Sequence, residues 1–499
     1  MGHFQETAVL GINLDRKSTR SMGSQLCDQL RSLILSGRLR SGERLPSTRE
    51  LAEDLGISRT LVLEAFEQLE AEGYVEGLHG SGSFVREGAS LARRRAQTEA
   101  GSDGRAGAAL ARRRTFPPVA RAAAAVDFRP GRPDLGLFPR EAWARALAEA
   151  SRSLPEAAFG YGDGAGLPEL REEIAAFLFR SRGISAGPED IFVTSGISQS
   201  LGMASRFLLH TASGARRAAV LENPCQPALS GLLAREGVSL FAANVDSEGL
   251  EPSSLPADRA ALAFVTSSHQ YPLGAVLSAP RRAALVEWAR ASDSYIFEDD
   301  FDGDFRYGGA PLQPLRELDP ERVLYAGSFS KSFSPGLRLG YAIVPPRLRD
   351  EWRACRELAD IHSCAFTQAA MASFLASGSY ERHVARMRKV YAERRAVMLA
   401  CLCGCFGENV EVMGAAAGLH VAVRFAGSSG GHAPRFEEAA VTRIASGGAI
   451  VYPASRYAFA PYAGIRSVLL LGYGHLNPGE IERGVAALAE GLGKGLEKT

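Results

Sequence analysis

Lysine is scarce in this 499-residue chain, and one of its five lysines stands in unusual surroundings. Lys331 follows the run Val-Leu-Tyr-Ala-Gly-Ser-Phe-Ser at 323–330 and precedes Ser332-Phe333-Ser334-Pro335, where a buried strand leaves a sheet. Lys17, Lys389, Lys494 and Lys498 lie in polar or terminal surroundings, and the other 52 basic residues are arginine. Arginine does not deprotonate in a protein, whereas a desolvated lysine does and then acts as an amine nucleophile. Schiff-base chemistry with a carbonyl cofactor is the natural use of such a residue.

Neighbouring residues point to the same chemistry. Asp299 ends the apolar strand that begins at Tyr295. A carboxylate there can keep a pyridinium nitrogen protonated, which makes pyridoxal 5′-phosphate an electron sink. Ser195 and Gly196 lie between a strand and a helix that begins near Ser198, so backbone amides from Gly196, Ile197 and Ser198 suit a phosphate. Ser328 and Arg338 can add a hydroxyl and a guanidinium to the same group. The pattern therefore predicts a pyridoxal phosphate site with Lys331 and Asp299 as catalytic residues. The competing readings make Lys331 structural, Asp299 part of a solvated acidic face with Glu298, Asp300, Asp302 and Asp304, and Arg338 an ion-pair partner of that face.

These residues need a scaffold. From about residue 127 the sequence alternates short apolar runs with amphipathic stretches. Strands are predicted at 191–193, 218–221, 262–265, 295–297 and 323–325, with a helix over 280–291. Such alternation gives a mostly parallel sheet covered by helices, whose ligands sit at the carboxyl ends of strands.

The segment before it is organised differently. Leu26, Leu30, Leu33 and Ile34 share one helical face, and Gly37 ends that helix. Ser47 and Glu50 have capping-box spacing before a second helix, which Gly56 breaks. Ser58 caps a third, with Val62, Ala65, Phe66 and Leu69 inward and Gly73 at its end. Two short strands around a glycine-rich tip at 77–82 follow. Three helices and a hairpin make a winged helix-turn-helix, and Arg59 and Thr60 lie at the exposed start of its recognition helix.

Length and composition are consistent with two folded parts. Apolar residues form 46% of the chain, enough for large cores, which excludes a disordered or collagen-like protein. No apolar run has the length of a membrane span and the N-terminus lacks a signal-peptide pattern, so a soluble, cytoplasmic protein is expected. The seven scattered cysteines do not make a disulfide scaffold, and Cys401, Cys403 and Cys405 are expected to pack within a helix with no metal bound. Net charge is +1, yet residues 1–85 carry −3 and residues 86–121 carry +6. The latter stretch, with Arg93-Arg94-Arg95 and Arg112-Arg113-Arg114, has no apolar period and reads as a linker, either an inert tether or an added phosphate contact. The expected organisation is a DNA-binding domain at 20–86, a linker at 87–125 and a cofactor domain at 126–499.

Across 39–85, LRSGERLPSTRELAEDLGISRTLVLEAFEQLEAEGYVEGLHGSGSFV resembles the GntR family of bacterial regulators. That resemblance puts Arg49, Ser58, Arg59, Thr60, Gly80 and Gly82 at operator DNA. The stretches YGDGAGLPELREEIAAFL, VTSGISQSL, TSSHQYPLG, FEDDFDGDFRY, YAGSFSKSFSPGLRLGY, YERHVARMRKVYAERR and GLHVAV resemble class I aminotransferases of fold-type I, with a smaller α+β C-terminal subdomain. The combination is similar to the MocR/GabR-type regulators. It implies a head-to-tail homodimer, Lys331 as the aldimine lysine, Asp299 on the pyridine nitrogen and His269 or Gln270 near the ring hydroxyl. It also implies that Tyr161 reaches the partner's phosphate site.

Three positions depart from that family's pattern. Phe301 stands where a tyrosine would reach the ring oxygen. Gln226 stands where an aromatic ring would stack, a contact worth about 0.5–1.5 kcal/mol, or roughly tenfold in affinity. Leu470 stands where an arginine would clamp a carboxylate, and Arg466 lies four residues upstream. The expected function is a transcriptional regulator that senses a small amino compound, or the cofactor itself, through Lys331. The alternatives are a working aminotransferase with a DNA-binding head and a scaffold without cofactor.

Overall fold

The computed structural model describes residues 10–15, 18, 21–78, 82–86, 125–211, 217–257, 260–308, 313–426 and 433–496. The chain forms two compact units, Met1–Pro117 and Pro118–Thr499. Gly80 and both arginine triplets of the basic stretch lie outside the described residues.

In the smaller unit, α1 (Met22–Leu35) starts at the Ser21 cap and buries Leu26, Cys27, Leu30 and Ile34. Helix α2 (Thr48–Leu55) begins at a full capping box, where Ser47 and Glu50 satisfy each other's backbone amides, and ends on Gly56 in the left-handed region. Helix α3 (Arg59–Ala71) starts at the Ser58 cap and buries Val62, Ala65, Phe66 and Leu69. Strands β1 (Val75–Leu78) and β2 (Gly82–Val85) pair antiparallel, with Val75 opposite Val85. One apolar core joins the three helices and the hairpin. This is the winged helix-turn-helix that the spacing predicts.

In the larger unit, a two-residue strand β3 (Val126–Asp127) precedes β4 (Ile191–Thr194), β5 (Ala218–Asn223), β6 (Ser239–Asp246), β7 (Gly249–Leu250), β8 (Leu262–Val265), β9 (Tyr295–Asp300), β10 (Val323–Ser328) and β11 (Gly340–Ile343). The sheet order is β4-β11-β10-β9-β8-β5-β6-β7. Strands β10, β9, β8, β5 and β6 run parallel, and β11 is antiparallel to both of its neighbours. Strands β4, β5 and β8 are buried along their whole length, as a sheet covered on both faces requires. A second, antiparallel sheet contains β12 (Val410–Met413), β13 (His420–Phe425), β15 (Tyr452–Pro453) and β16 (Val468–Gly472) in the order β12-β13-β16-β15. Strand β14 (Ala449–Ile450) pairs in parallel with β3 and so ties the start of this unit to its C-terminal part.

One local expectation is corrected. Cys401 is half-buried in the helix Ser379–Phe406, but Cys403 and Cys405 are exposed, because their positions fall on the outer face of that helix. His383 of the same helix is buried edge-on against Phe333, and burial pushes its pKa down to about 4.

Candidate active site and DNA-facing surface

A cavity of about 320 Å³ opens at the carboxyl ends of β4, β10, β9, β8 and β5. Lys331 reaches it from the turn after β10. Its Nζ donates to the Gly131 carbonyl at 2.6 Å. Burial lowers its pKa from the usual lysine value, opposed by Asp302 and Asp299. The amine is therefore free at lower pH than a surface lysine would be.

Strand alternation separates the acidic run into two sets. Glu298 accepts from Ser267 Oγ at 2.5 Å and from the amides of Leu315 and Arg316 at 2.9 and 3.1 Å. Asp300 pairs with Arg182 at 2.9 Å and accepts from Tyr325 Oη at 2.6 Å. Asp302 holds His269 Nδ1 at 2.8 Å, and Asp304 pairs with Arg182 at 3.2 Å. Asp299, between them in sequence, points into the cavity. Its buried Oδ1 has no partner among the described residues. Burial holds its pKa well above the carboxylate range, helped by Asp300, Asp302 and Glu222. A buried carboxyl without a partner is costly and marks a place where a ligand hydrogen or cation belongs.

At the other end, Gly196, Ile197, Ser198, Ser328 and Arg338 line the cavity together. The helix Ile197–Thr211 presents its first amides there, where helix ends leave donors unsatisfied. A Cβ on Gly196, whose φ is +112°, would come within 3.7 Å of Arg338 Nη2 and 3.8 Å of Ser328 Oγ, so side chain and hydroxyl converge on the space this glycine leaves open. Arg338 itself sits in the left-handed region, with φ +50°. It has no ion-pair partner among the described residues, unlike the salt-bridged alternative. Amides, hydroxyl and guanidinium make an anion cradle. The donor set fits pyridoxal phosphate: an anion cradle, an unpartnered buried carboxyl and a desolvated amine share one cavity.

Other predicted residues lie elsewhere. The Ser195 amide donates to Gln199 Oε1 at 2.7 Å, so Ser195 belongs to the turn and is not on the wall. Gln270 donates to the carbonyls of Pro224 and Tyr271, both at 2.9 Å, and His269 lies behind Phe301; neither lines the cavity. Tyr271, which the spacing did not single out, does line it, as do Phe301 and Gln226. Tyr161 is 87% exposed beside His362. Leu470 is fully buried in an apolar cluster with Leu273 and Ala422, and Arg466 points outward to Glu437 at 3.8 Å. Arg466 thus does not replace the missing arginine.

Glu222, buried at the end of β5, accepts from the Thr266 amide at 3.1 Å and hydroxyl at 2.5 Å. Burial nevertheless pushes its carboxyl from 4.5 up to about 7. The folded state binds this proton more tightly than the unfolded chain. Its stabilising contribution is full below 4.5 and is lost as pH rises to about 7. Glu222→Gln is therefore expected to raise Tm relative to the parent above that range and not at acid pH. A Tm difference independent of pH in thermal melts would refute this assignment.

In the smaller unit, Arg59 and Thr60 are exposed at the start of α3, and Arg59 Nε donates to Thr48 Oγ1 at 3.3 Å. Ser58 caps the helix. Arg49 is exposed, with a 3.3 Å pair to Glu53. Gly82, φ +105°, leaves room for the Arg44 guanidinium: a Cβ there would be 3.1 Å from Arg44 Nε. Arg44 was not expected. Its backbone bridges to Phe84 of the wing, and its guanidinium lies against Gly82 of the same hairpin. Arg31, by contrast, is held by Asp28 and Glu72 at 2.6 and 2.7 Å.

Residues 126–455 match the family model for aminotransferase class I and II, and residues 23–85 match that for bacterial regulatory proteins of the gntR family. The probable rhizopine catabolism regulatory protein MocR of Rhizobium meliloti is 33% identical over 95% of this chain and 94% of its own length. The HTH-type pyridoxine biosynthesis transcriptional regulator PdxR of Corynebacterium glutamicum is 36% identical over 78% of this chain and 81% of its own. The HTH-type transcriptional regulator TauR of Rhodobacter capsulatus is 33% identical over 92% and 94%. Among solved structures, an α-aminoadipate aminotransferase of Thermus thermophilus, complexed with N-(5′-phosphopyridoxyl)-L-leucine, superposes with a TM-score of 0.67 at 25% identity, across 80% of this chain and 99% of that one. An archaeal alanine:glyoxylate aminotransferase gives 0.67 and 25%, across 76% and 92%.

Proposed function

The chain belongs to the HTH-type transcriptional regulators that join a GntR-family head to an aminotransferase-like domain, and on that basis we propose that its larger unit binds pyridoxal 5′-phosphate at Lys331 and reports an amino compound, or the cofactor itself, to the DNA-binding head. The observation that carries this reading is Asp299: the one carboxyl of the acidic run turned into the cavity, buried and unpartnered among the described residues, facing the same space as Lys331 and the cradle.

When bound, the cofactor supplies an aldehyde that exchanges amines and a ring that accepts electron density. The chain's residues set the conditions. The amides after Gly196, with Ser328 and Arg338, hold the phosphate. Asp299 keeps a proton at the ring nitrogen. Burial keeps Lys331 a competent amine, and the Gly131 carbonyl orients it. An amine entering the cavity would meet the space into which Lys331 Nζ is directed. A ligand that binds one conformation of the domain better than another shifts the equilibrium by that difference.

On the same reading the protein is a cytoplasmic, head-to-tail homodimer, in which the exposed Tyr161 serves the partner's cradle. Operator DNA is met by Arg49, Ser58, Arg59, Thr60, Gly82 and, beyond the described residues, Gly80. Arg44 joins them as a phosphate contact. The head is acidic overall, so these arginines supply what bulk charge does not.

The test combines three measurements on the purified full chain. Added pyridoxal phosphate should give a near-visible band that borohydride fixes onto Lys331, read by peptide mass. An amine from a panel should then alter retention of operator DNA. Sustained turnover of amino and keto acids without any change in DNA binding would favour the aminotransferase alternative. Absence of any band or mass gain would overturn the cofactor reading.

A further inference from the structure

The sheet order fixes the order of groups around the cavity. Gly196–Ser198 follow β4, Arg338 precedes β11 and Ser328 ends β10, so the anion cradle sits on one flank. Asp299 is on β9, in the middle. Tyr271 lies in the loop leaving β8, and Gln226 in the loop leaving β5, on the far flank. A pyridoxal ring carries its phosphate arm and its phenolic oxygen on either side of the aldehyde carbon. With the arm in the cradle and the aldehyde at Lys331, the phenolic oxygen belongs to the far flank.

The residues of that flank differ in what they can donate. Phe301 has no hydroxyl. The Thr266 hydroxyl donates to Glu222 at 2.5 Å and accepts from the Tyr271 amide at 3.0 Å, so it is fully engaged. Gln226 can offer an amide, but it extends from the β5 loop, one strand farther from Asp299. Tyr271 is held by three rings: Phe301 at 5.6 Å, His420 at 5.3 Å and Tyr457 at 5.6 Å between centroids, all tilted edge-on. Among the described residues no carbonyl or carboxylate takes its hydroxyl; its hydrogen-bond partner is the Tyr457 phenol, which can turn to donate to the Tyr271 oxygen and so release the Tyr271 hydrogen for a ligand. Burial raises its pKa well above that of a free tyrosine, with Tyr457 adding to it, so the hydroxyl remains a donor.

We propose that Tyr271 donates its phenolic hydrogen to the ring oxygen of bound pyridoxal phosphate, from the loop after β8, at the flank where Phe301 offers none. This rests on the cofactor reading above. Tyr271 is then a cofactor-binding residue that the spacing did not reveal, and the loss of a hydroxyl at 301 is compensated within the same cavity. A donor on the ring oxygen draws charge from it and weakens its hold on the proton of the neighbouring lysine–cofactor linkage.

Tyr271→Phe removes one oxygen and keeps the three ring contacts. The cofactor dissociation constant should rise roughly threefold to tenfold, the worth of one neutral hydrogen bond. The midpoint of the pH-dependent change in the near-visible band should move upward by about half to one pH unit. The double variant Tyr271→Phe/Phe301→Tyr should return both values toward the parent, which a merely structural role for Tyr271 would not produce. An unmoved midpoint and affinity in Tyr271→Phe, with a normal parent adduct, would overturn this assignment alone. A parent protein that forms no borohydride-stable adduct would overturn the cofactor reading and this assignment with it.

Discussion

Lys331→Ala is expected to abolish the borohydride-stable adduct and every response of DNA binding to amines, while basal operator affinity is unchanged. Among the described residues the cavity offers no second amine: Lys331 is the only lysine on its wall. The substitution should not unfold the protein. Nζ makes a single hydrogen bond, to a backbone carbonyl, and the stem of the side chain borders open cavity. Its effect on stability should depend on pH. The parent lysine has a folded pKa below its unfolded one, so the folded state binds fewer protons between those values and is destabilised as pH falls through that window. Alanine removes this penalty, so the variant should gain Tm relative to the parent as pH drops from alkaline to neutral. Thermal melts across pH, with absorbance and DNA retention at one pH, check all three statements. A variant that still responds to amines would show that the signal does not pass through Lys331.

Arg59→Ala is expected to weaken operator binding by roughly tenfold to a hundredfold without changing cofactor loading. Arg59 is the first residue of α3, exposed, and steadied by Thr48 at the start of α2. Neutralising nothing within the fold, it is available to base edges, so its removal should also relax sequence preference. Arg44→Ala should behave differently. Taking a phosphate-binding charge away from the wing lowers affinity evenly across sequences and reduces the slope of log affinity against log salt by about one. Fluorescence anisotropy against specific and scrambled duplexes at several salt concentrations separates the two. If Arg59→Ala binds its operator normally, α3 is not the recognition helix.

Much of both units was legible because it is local. A serine three residues before a glutamate at a helix start forms a capping box in almost any setting, and Ser47–Glu50 does so here. The apolar runs at 191, 218, 262, 295 and 323 became strands because a fully covered sheet accepts only apolar residues on both faces. A lone lysine in a chain of arginines stood out on chemical grounds before any contact was known.

The loop residues were not legible in this way, because a loop side chain points where distant groups capture or release it. Gln270 and Tyr271 are adjacent, yet the Pro224 carbonyl in the β5 loop turns Gln270 away, and rings from Phe301 just after β9 and from the C-terminal part hold Tyr271 in place. Arg44 gained its position from a glycine in the wing thirty-eight residues later, Gly82. Asp299 shows both levels at once. That a carboxylate ends β9 near the lysine follows from the order of residues alone. Which carboxyl stays unpaired was settled by packing in three dimensions, since Arg182, His269 and the helix after Pro314 pair with its neighbours and none of them lines the cavity side of the strand.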